Sequence, residues 1–213
     1  MYNAPVVVNQ EPQVRPEAVL RSVIALLMLL AVSACWQQPA WNGLDVSGLF
    51  PDLEFTLVGE SGETVTGQDF RGKTTLLFFG FTHCPGTCPA TLGQLSVALD
   101  ALGEQRSEVQ VLLVSVDPAR DTPEAMAQYT RRFGPWLHGI TGDEASLRAL
   151  NQAYKVDFKA LPADEAGEYD VVHSARVFAF DATGRCRLLL PDASETDAVV
   201  SDLHRLLAEN PGN

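Results

Sequence analysis

The fold is decided at residues 74–89, TTLLFFGFTHCPGTCP, where a short apolar run leads into a loop that carries two cysteines. The apolar residues are continuous rather than alternating, which is typical of a strand buried on both faces. The residues that follow are too rich in Gly and Pro to continue that strand. From Ala90 to Leu102, leucines recur at helical spacing. The stretch therefore predicts a strand, a loop with Cys84 and Cys88, and a helix.

Outside this stretch, strands alternate with helices. The predicted elements are a hairpin over 53–57 and 64–66, a strand over 109–116, helices over 121–133 and 141–154, a polar loop over 159–169, a second hairpin over 176–180 and 186–190, and a helix over 194–208. Such an order implies a central sheet with parallel pairs, to which the closing hairpin adds antiparallel strands. We predict an α/β, thioredoxin-like fold: a central mixed sheet flanked by helices, with an N-terminal β-hairpin.

Composition restricts the class of protein. The chain has 213 residues, of which 46% are hydrophobic, and this suits one globular domain with a short appendage. With 15 basic and 27 acidic residues the net charge is −12, which argues against nucleic acid as a partner. Four cysteines are too few for a disulfide scaffold of this size.

The N-terminal segment has the features of an export signal. Residues Val23–Ala34 are apolar, which is too short a run for a typical membrane-spanning helix but suits a signal peptide. Small residues before Cys35 resemble a bacterial lipobox, in which the cysteine is lipidated; an uncleaved anchor and simple secretion are the alternatives. We expect a signal over 1–34, a tether over 35–50 and the domain over 51–213, outside the cytoplasm.

The spacing of Cys84 and Cys88 favours metal binding. At the start of a helix, unpaired N–H groups and the helix dipole favour a thiolate. Residues four apart on a helix have Cβ atoms about 5–6 Å apart, whereas a disulfide needs roughly 3.5–4.5 Å. A disulfide therefore requires the turn to depart from helix, and a metal ion relaxes this requirement. We expect a soft-metal site that can also be oxidised; a simple structural disulfide is the alternative.

Two thiolates leave a soft metal under-coordinated, so a histidine is expected to supply a third ligand. His173 opens the strand of the closing hairpin, and the loop before that strand faces the cysteine loop in a thioredoxin-like sheet. His83 is expected to point away from the sulfurs, and His138, in a loop, and His204, on the last helix, are expected to be solvated. A purely structural role for His173 stays open.

Three motifs in order resemble those of the Sco/SenC family of copper-binding, thioredoxin-like proteins. They are Phe79–Pro89, Val114–Pro118 with Arg120–Pro123, and Tyr169–Ser174, and the resemblance covers roughly residues 48–209. Two positions depart from the family pattern, which usually has Asp where this chain has Gly86 and Val172. These departures remove negative charge near the site and leave its three ligands in place.

The resemblance implies one copper ion per monomer, held by Cys84, Cys88 and His173. It also implies a role in building the dinuclear copper centre of cytochrome c oxidase, whose copper-site subunit is the expected partner. Another copper chaperone or a thioredoxin-like reductase is a further possible partner. The expected location is the periplasmic face of a bacterial membrane, reached through the N-terminal anchor.

Ligand chemistry agrees with copper. Thiolates select Cu(I) and imidazole accepts Cu(I) or Cu(II), so this set can hold both states. A closed zinc site needs four ligands, and the sequence offers no fourth. Asp117 follows a buried strand and is a candidate to orient a ligand, or alternatively to cap the turn before Pro118. Cys186 is expected to fill a strand position as a small residue.

The main rival function is a thiol–disulfide reductase that keeps the copper-ligating cysteines of the oxidase reduced. In that case Cys84 and Cys88 cycle between dithiol and disulfide. His173 distinguishes the two functions, because a reductase has no evident need for it. A peroxidase fits less well, since Phe81 and Leu77 stand where a peroxiredoxin has Thr and Pro. A copper sensor remains a third possibility.

Overall fold

The structure, a computed structural model, describes residues 40–165 and 169–209. Its strands are β1 (Leu44–Asp45), β2 (Thr56–Gly59), β3 (Thr64–Thr66), β4 (Thr74–Gly80), β5 (Val109–Ser115), β6 (Leu137–Thr141), β7 (Phe158–Ala160), β8 (Val171–His173), β9 (Val177–Phe180) and β10 (Cys186–Leu189). Its α-helices are α1 (Thr87–Ala101), α2 (Pro123–Thr130), α3 (Glu144–Ala153) and α4 (Thr196–Ala208), and 3₁₀ turns lie at Gly67–Phe70 and Gly103–Glu108.

Eight of these strands form one mixed sheet in the order β1-β10-β9-β4-β5-β6-β2-β3. Strands β4, β5 and β6 are parallel, and β9 and β2 join them antiparallel on either side. Strands β7 and β8 form a separate antiparallel ribbon. Helix α1 packs against α4, and α2 lies against β6. The prediction of an α/β, thioredoxin-like fold with an N-terminal hairpin, here β2–β3, is confirmed.

Strand β4 is buried along its whole length, as its continuous apolar sequence predicts. It pairs in register with β5, from Thr74 opposite Val109 to Gly80 opposite Ser115. Because the two strands are parallel, their carboxyl ends lie at the same edge of the sheet, where α/β proteins commonly place their sites. The cysteine loop follows β4 at this edge.

Strand β6 was not predicted. Residues 137–141 form β6, whereas the sequence pattern placed His138 in a loop and began a helix at 141. Only two of the five residues are large and apolar, so the local pattern is weak. Backbone pairing with β5 and β2 on either side holds the segment extended. His138 is half-buried there against the Phe70 ring, and burial lowers the pKa of its imidazole.

The segment that carries His173 also differs from the prediction. It was expected to begin the strand of the closing hairpin, but β8 ends at His173, and β9 begins only at Val177. Strand β8 pairs with β7 instead, and His173 lies opposite Phe158. The predicted polar loop therefore starts with a strand and forms part of a ribbon outside the main sheet.

Residues 41–50, which were expected to belong to a tether, contact the domain. Strand β1 pairs with β10, and Val46 is buried. The buried carboxylate of Asp202 accepts hydrogen bonds from the backbone N–H groups of Asn42 (2.9 Å) and Gly43 (2.7 Å). The packed unit accordingly begins at Trp41. No helix in the described part of the chain is long and apolar enough to span a membrane.

Candidate metal centre

Helix α1 begins between the two cysteines. Gly86 is its N-cap residue, so Cys88 lies in the first turn and Cys84 precedes the helix. The backbone N–H of Cys88 donates to Sγ of Cys84 across 3.3 Å. A first-turn N–H group that has no partner within the helix is thus satisfied by a sulfur. The turn departs from regular helix, which is the condition for a disulfide between two cysteines four residues apart. No disulfide joins Cys84 and Cys88 in the structure.

The two cysteines differ in their exposure. Cys84 is half-buried, whereas Cys88 is completely buried. Burial raises the pKa of the Cys88 thiol well above its ordinary value. The helix start was expected to favour a thiolate, and at Cys88 burial acts in the opposite direction, because it removes the hydration of a charged sulfur.

Gly80 makes room for the buried sulfur. A Cβ atom at this position would lie 3.0 Å from Sγ of Cys88 and 3.0 Å from Cδ1 of Leu113. Strand β4 thus ends in a residue whose missing side chain lets the sulfur pack directly against the backbone. The sequence pattern placed this glycine at the start of the loop rather than in the strand.

The cysteine loop and the start of strand β8 face each other across a cavity of 300 Å³. One wall consists of residues 84–87, and the other of residues 170–172. His173 is the next residue along the second wall and the last of β8. The chain thus brings together two segments that are 85 positions apart, as predicted. Among the side chains that the structure describes, which leave out that of His173, no three His, Cys, Asp or Glu groups are placed to hold a metal ion.

Asp117 and Arg120 hold the chain that leads to β8. The hydroxyl of Tyr169 donates to Oδ1 of Asp117 at 2.7 Å, and Arg120 forms an ion pair with the same carboxylate. Arg120 also donates to the Tyr169 carbonyl at 2.9 Å, and its guanidinium lies 3.6 Å from the centre of the Tyr169 ring. Asp117 therefore contacts the approach to His173, four residues before it, through Tyr169.

Asp121 is a residue whose role the sequence did not reveal. The pattern Asp121-Thr122-Pro123 predicted a helix start, and Thr122 is indeed the N-cap, since its side chain accepts the N–H of Ala125. The Asp121 carboxylate instead turns inward and is completely buried. It accepts hydrogen bonds from the Thr82 hydroxyl (2.6 Å), the Thr82 N–H (3.1 Å) and the Ser115 hydroxyl (2.6 Å).

The remaining histidines lie away from the cavity walls. His83 is exposed, and its Nδ1 atom is 3.0 Å from the Thr82 hydroxyl. His204, on the surface of α4, has Nδ1 2.7 Å from the side-chain oxygen of Gln105. Cys186 is buried in β10 as expected, in no disulfide with any described cysteine. Cys35 lies outside the described residues.

The donor set suits a soft cation. Two sulfur ligands beside a strand that ends in histidine are the groups that Cu(I) and Cu(II) accept. Cys84 lines the cavity and is partly exposed, whereas Cys88 is completely buried. Two neighbouring thiols are also the groups that a reversible disulfide requires.

Comparison with known proteins identifies the family to which the chain is similar. Residues 51–208 match the SCO1/SenC family model. Over 146 residues the chain is 38% identical to the mitochondrial SCO2 homolog of Bos taurus, an alignment that covers 68% of this chain and 52% of that protein. The chain therefore spans about half the length of this curated relative.

Two solved structures share both fold and sequence with the chain. Copper-bound ScoI of Bradyrhizobium japonicum is 34% identical, with a TM-score of 0.64, covering 79% of this chain and 100% of that one. Apo Sco1 of Thermus thermophilus is 37% identical, with a TM-score of 0.69, covering 79% and 98%. The fold, the cysteine loop that faces the β8 segment and the match of residues 51–208 together establish that the chain belongs to the SCO1/SenC family.

Proposed function

We propose that the protein is a membrane-anchored copper chaperone that binds one copper ion and delivers it to the dinuclear copper centre of cytochrome c oxidase. The observation that carries this proposal is the cavity in which Cys84 faces the strand ending in His173. In this proposal Cys84, Cys88 and His173 are the three ligands. The copper-bound ScoI structure supports copper as the ion, because that protein is 34% identical to this chain.

A site with three protein ligands suits transfer. A closed four-ligand site retains its metal, whereas an open position lets an incoming ligand bind before the ion leaves. The cavity is wide enough to admit such a ligand beside Cys84. Asp117 acts here as a positioning residue, because its contact with Tyr169 fixes the approach to His173.

The anchor and location remain part of the proposal. A lipid on Cys35, or an uncleaved apolar segment, would hold the domain at the periplasmic face of a bacterial membrane, where the copper-site subunit of the oxidase is the partner. The net charge of −12 suits a basic docking surface on that partner.

Chelator competition tests the copper site. Cu(I) and Cu(II) are titrated against the full chain in detergent, as wild type and as the His173→Ala, Cys84→Ser and Cys186→Ser variants. We expect tight one-to-one binding, a large loss of Cu(II) affinity without His173, and a loss of tight Cu(I) binding without Cys84. Cys186→Ser is the matched control and should bind like wild type. Full copper affinity in His173→Ala would show that the three-ligand site is wrong.

A thiol–disulfide reductase is the second candidate, favoured by one observation. Cys84 is partly exposed and in contact with the backbone of Cys88, so a mixed disulfide at Cys84 is open to attack by its neighbour. Reduction of an oxidised model peptide that carries two copper-ligating cysteines tests this function. If His173→Ala reduces the peptide at the wild-type rate while wild type binds copper weakly, the reductase is the better assignment.

A further inference from the structure

A carboxylate lies buried beneath the cysteine loop. Asp121 has no exposed surface, and its hydrogen bonds connect it to both sides of the site. Thr82, which donates twice to it, is two residues before Cys84. Ser115, which donates once, pairs across the sheet with Gly80, the residue against which Sγ of Cys88 packs.

The environment of Asp121 suits an ionised carboxylate. Three donors point at its two oxygens, and an ionised carboxylate can only accept. Burial raises the pKa of Asp121 above its ordinary value, and the hydrogen bonds from Ser115 and Thr82 offset only part of that rise, so the charge is tested at mildly alkaline pH. The groups that face it are the neighbouring carboxylate of Asp117, the phenol of Tyr129 and the thiol of Cys88.

No cation in the described part of the chain forms an ion pair with Asp121. Asp117, four residues earlier, is paired with Arg120 and so contributes little net charge. Asp121 differs, because hydroxyl and amide groups hold it in place without cancelling its charge. In a buried region such a charge is screened much less than at the surface.

We propose that Asp121 is a fixed negative charge beneath the two cysteines that biases the bound ion toward Cu(II). The inference rests on the proposed copper function. Cu(II) carries one more positive charge than Cu(I), so a nearby negative charge stabilises it more. Asp121 is linked to the cysteine loop through Thr82, and through Ser115 to the sheet position beside Gly80, against which Sγ of Cys88 packs. Asp121 supplies this negative charge from below the site, whereas Gly86 and Val172 supply none from its surface.

The test compares removal of the charge with removal of a hydrogen bond. Asp121→Asn keeps the shape and most of the hydrogen bonds but removes the charge. We expect the ratio of Cu(II) to Cu(I) affinity to fall about tenfold, as expected for a unit charge near a partly buried cation. This corresponds to a rise of about 59 mV in the Cu(II)/Cu(I) potential. Both affinities and the potential are measured on the full chain in detergent at mildly alkaline pH.

Two variants that keep the charge serve as controls. Ser115→Ala removes one donor and should leave the affinity ratio within about twofold of wild type. Thr82→Val loosens the cysteine loop and should lower both affinities by the same factor. Circular dichroism establishes that each variant is folded. If Asp121→Asn does not fold, Asp121→Ser removes the same charge with a smaller side chain, and the same fall in the ratio is expected.

The outcomes separate this inference from the proposed function. If Asp121→Asn lowers both affinities equally, Asp121 only supports the loop and the inference is overturned. An unchanged ratio overturns it as well. If wild type binds neither Cu(I) nor Cu(II) tightly, the copper function itself fails. A lowered ratio together with unchanged ratios in both controls supports a charge that selects the oxidation state.

Discussion

The hydroxyl of Tyr169 donates a hydrogen bond to Asp117 across 2.7 Å and so joins the chain before β8 to the loop after β5. We expect Tyr169→Phe to lower the free energy of unfolding by about 1 kcal/mol, the usual net contribution of one hydrogen bond. Because this contact positions the approach to His173, Cu(II) affinity should fall several-fold as well. Urea unfolding and chelator competition measure the two effects.

Tyr129→Phe is the matched control for this prediction. The Tyr129 hydroxyl is buried, but no described group forms a hydrogen bond with it. Its removal should leave stability unchanged or slightly increased, since an unpaired buried hydroxyl is unfavourable. Equal losses of stability in both variants would show that the Asp117 contact has no special role.

Gly80→Ala tests the packing of Cys88 against β4. The added methyl group would lie 3.0 Å from both Sγ of Cys88 and Leu113, so the sulfur must move. We expect a loss of about 1–3 kcal/mol in unfolding free energy, as for other overpacked cores, and weaker Cu(I) binding. Gly93→Ala, in helix α1 with open space around the position, should instead stabilise the protein by about 0.5–1 kcal/mol. Wild-type Cu(I) affinity in Gly80→Ala would contradict the expected displacement.

The buried thiol of Cys186 predicts a loss of stability at alkaline pH. Burial raises its pKa to about 12, so it stays protonated in the folded state while the unfolded thiol ionises above about pH 8.5. Between these values the folded state binds one proton more, and the unfolding free energy falls by about 1.4 kcal/mol per pH unit. Cys186→Ala should remove this contribution, as denaturant unfolding between about pH 9 and pH 12 would show. An identical slope in the variant would mean that the thiol is accessible to water in the folded state.

Gly86→Asp tests the first departure from the family pattern. The position has open space for a side chain and is the N-cap residue of α1, for which Asp is well suited. We expect a gain of a few tenths of a kcal/mol in stability and a changed Cu(II) absorption spectrum. An unchanged spectrum would place the new carboxylate outside the coordination sphere.

Most of the sheet could be predicted because the sequences of its central strands β4 and β5 are largely apolar, as is typical of buried strands. Strand β4 is apolar at successive positions and could be identified without its neighbours. Strand β6 could not, because backbone pairing with two neighbouring strands, rather than its side chains, holds it extended. For the same reason the pattern at 171–173 did not reveal that β8 pairs with β7 instead of continuing into β9.

The parts of the candidate site that lie close together in sequence could be predicted. The parts that depend on contacts between distant residues could not. Cys84 and Cys88 are close in sequence, and their residue type and spacing indicate a metal or redox site. Asp121 has the sequence context of a helix start, and its contacts with Ser115 and with Thr82, 39 residues away, hold it inward. The burial of Cys88 likewise depends on Gly80 and Leu113, which belong to two different strands.

The unequal depth of the two sulfurs has a consequence for the proposed transfer. Cys84 is partly exposed and lines the cavity between the cysteine loop and β8, where a thiolate of an acceptor protein can reach it. Cys88 lies behind it with no surface open to solvent. In the proposed transfer, an acceptor sulfur would therefore replace Cys84 first, and Cys88 would be the last protein sulfur to release the ion.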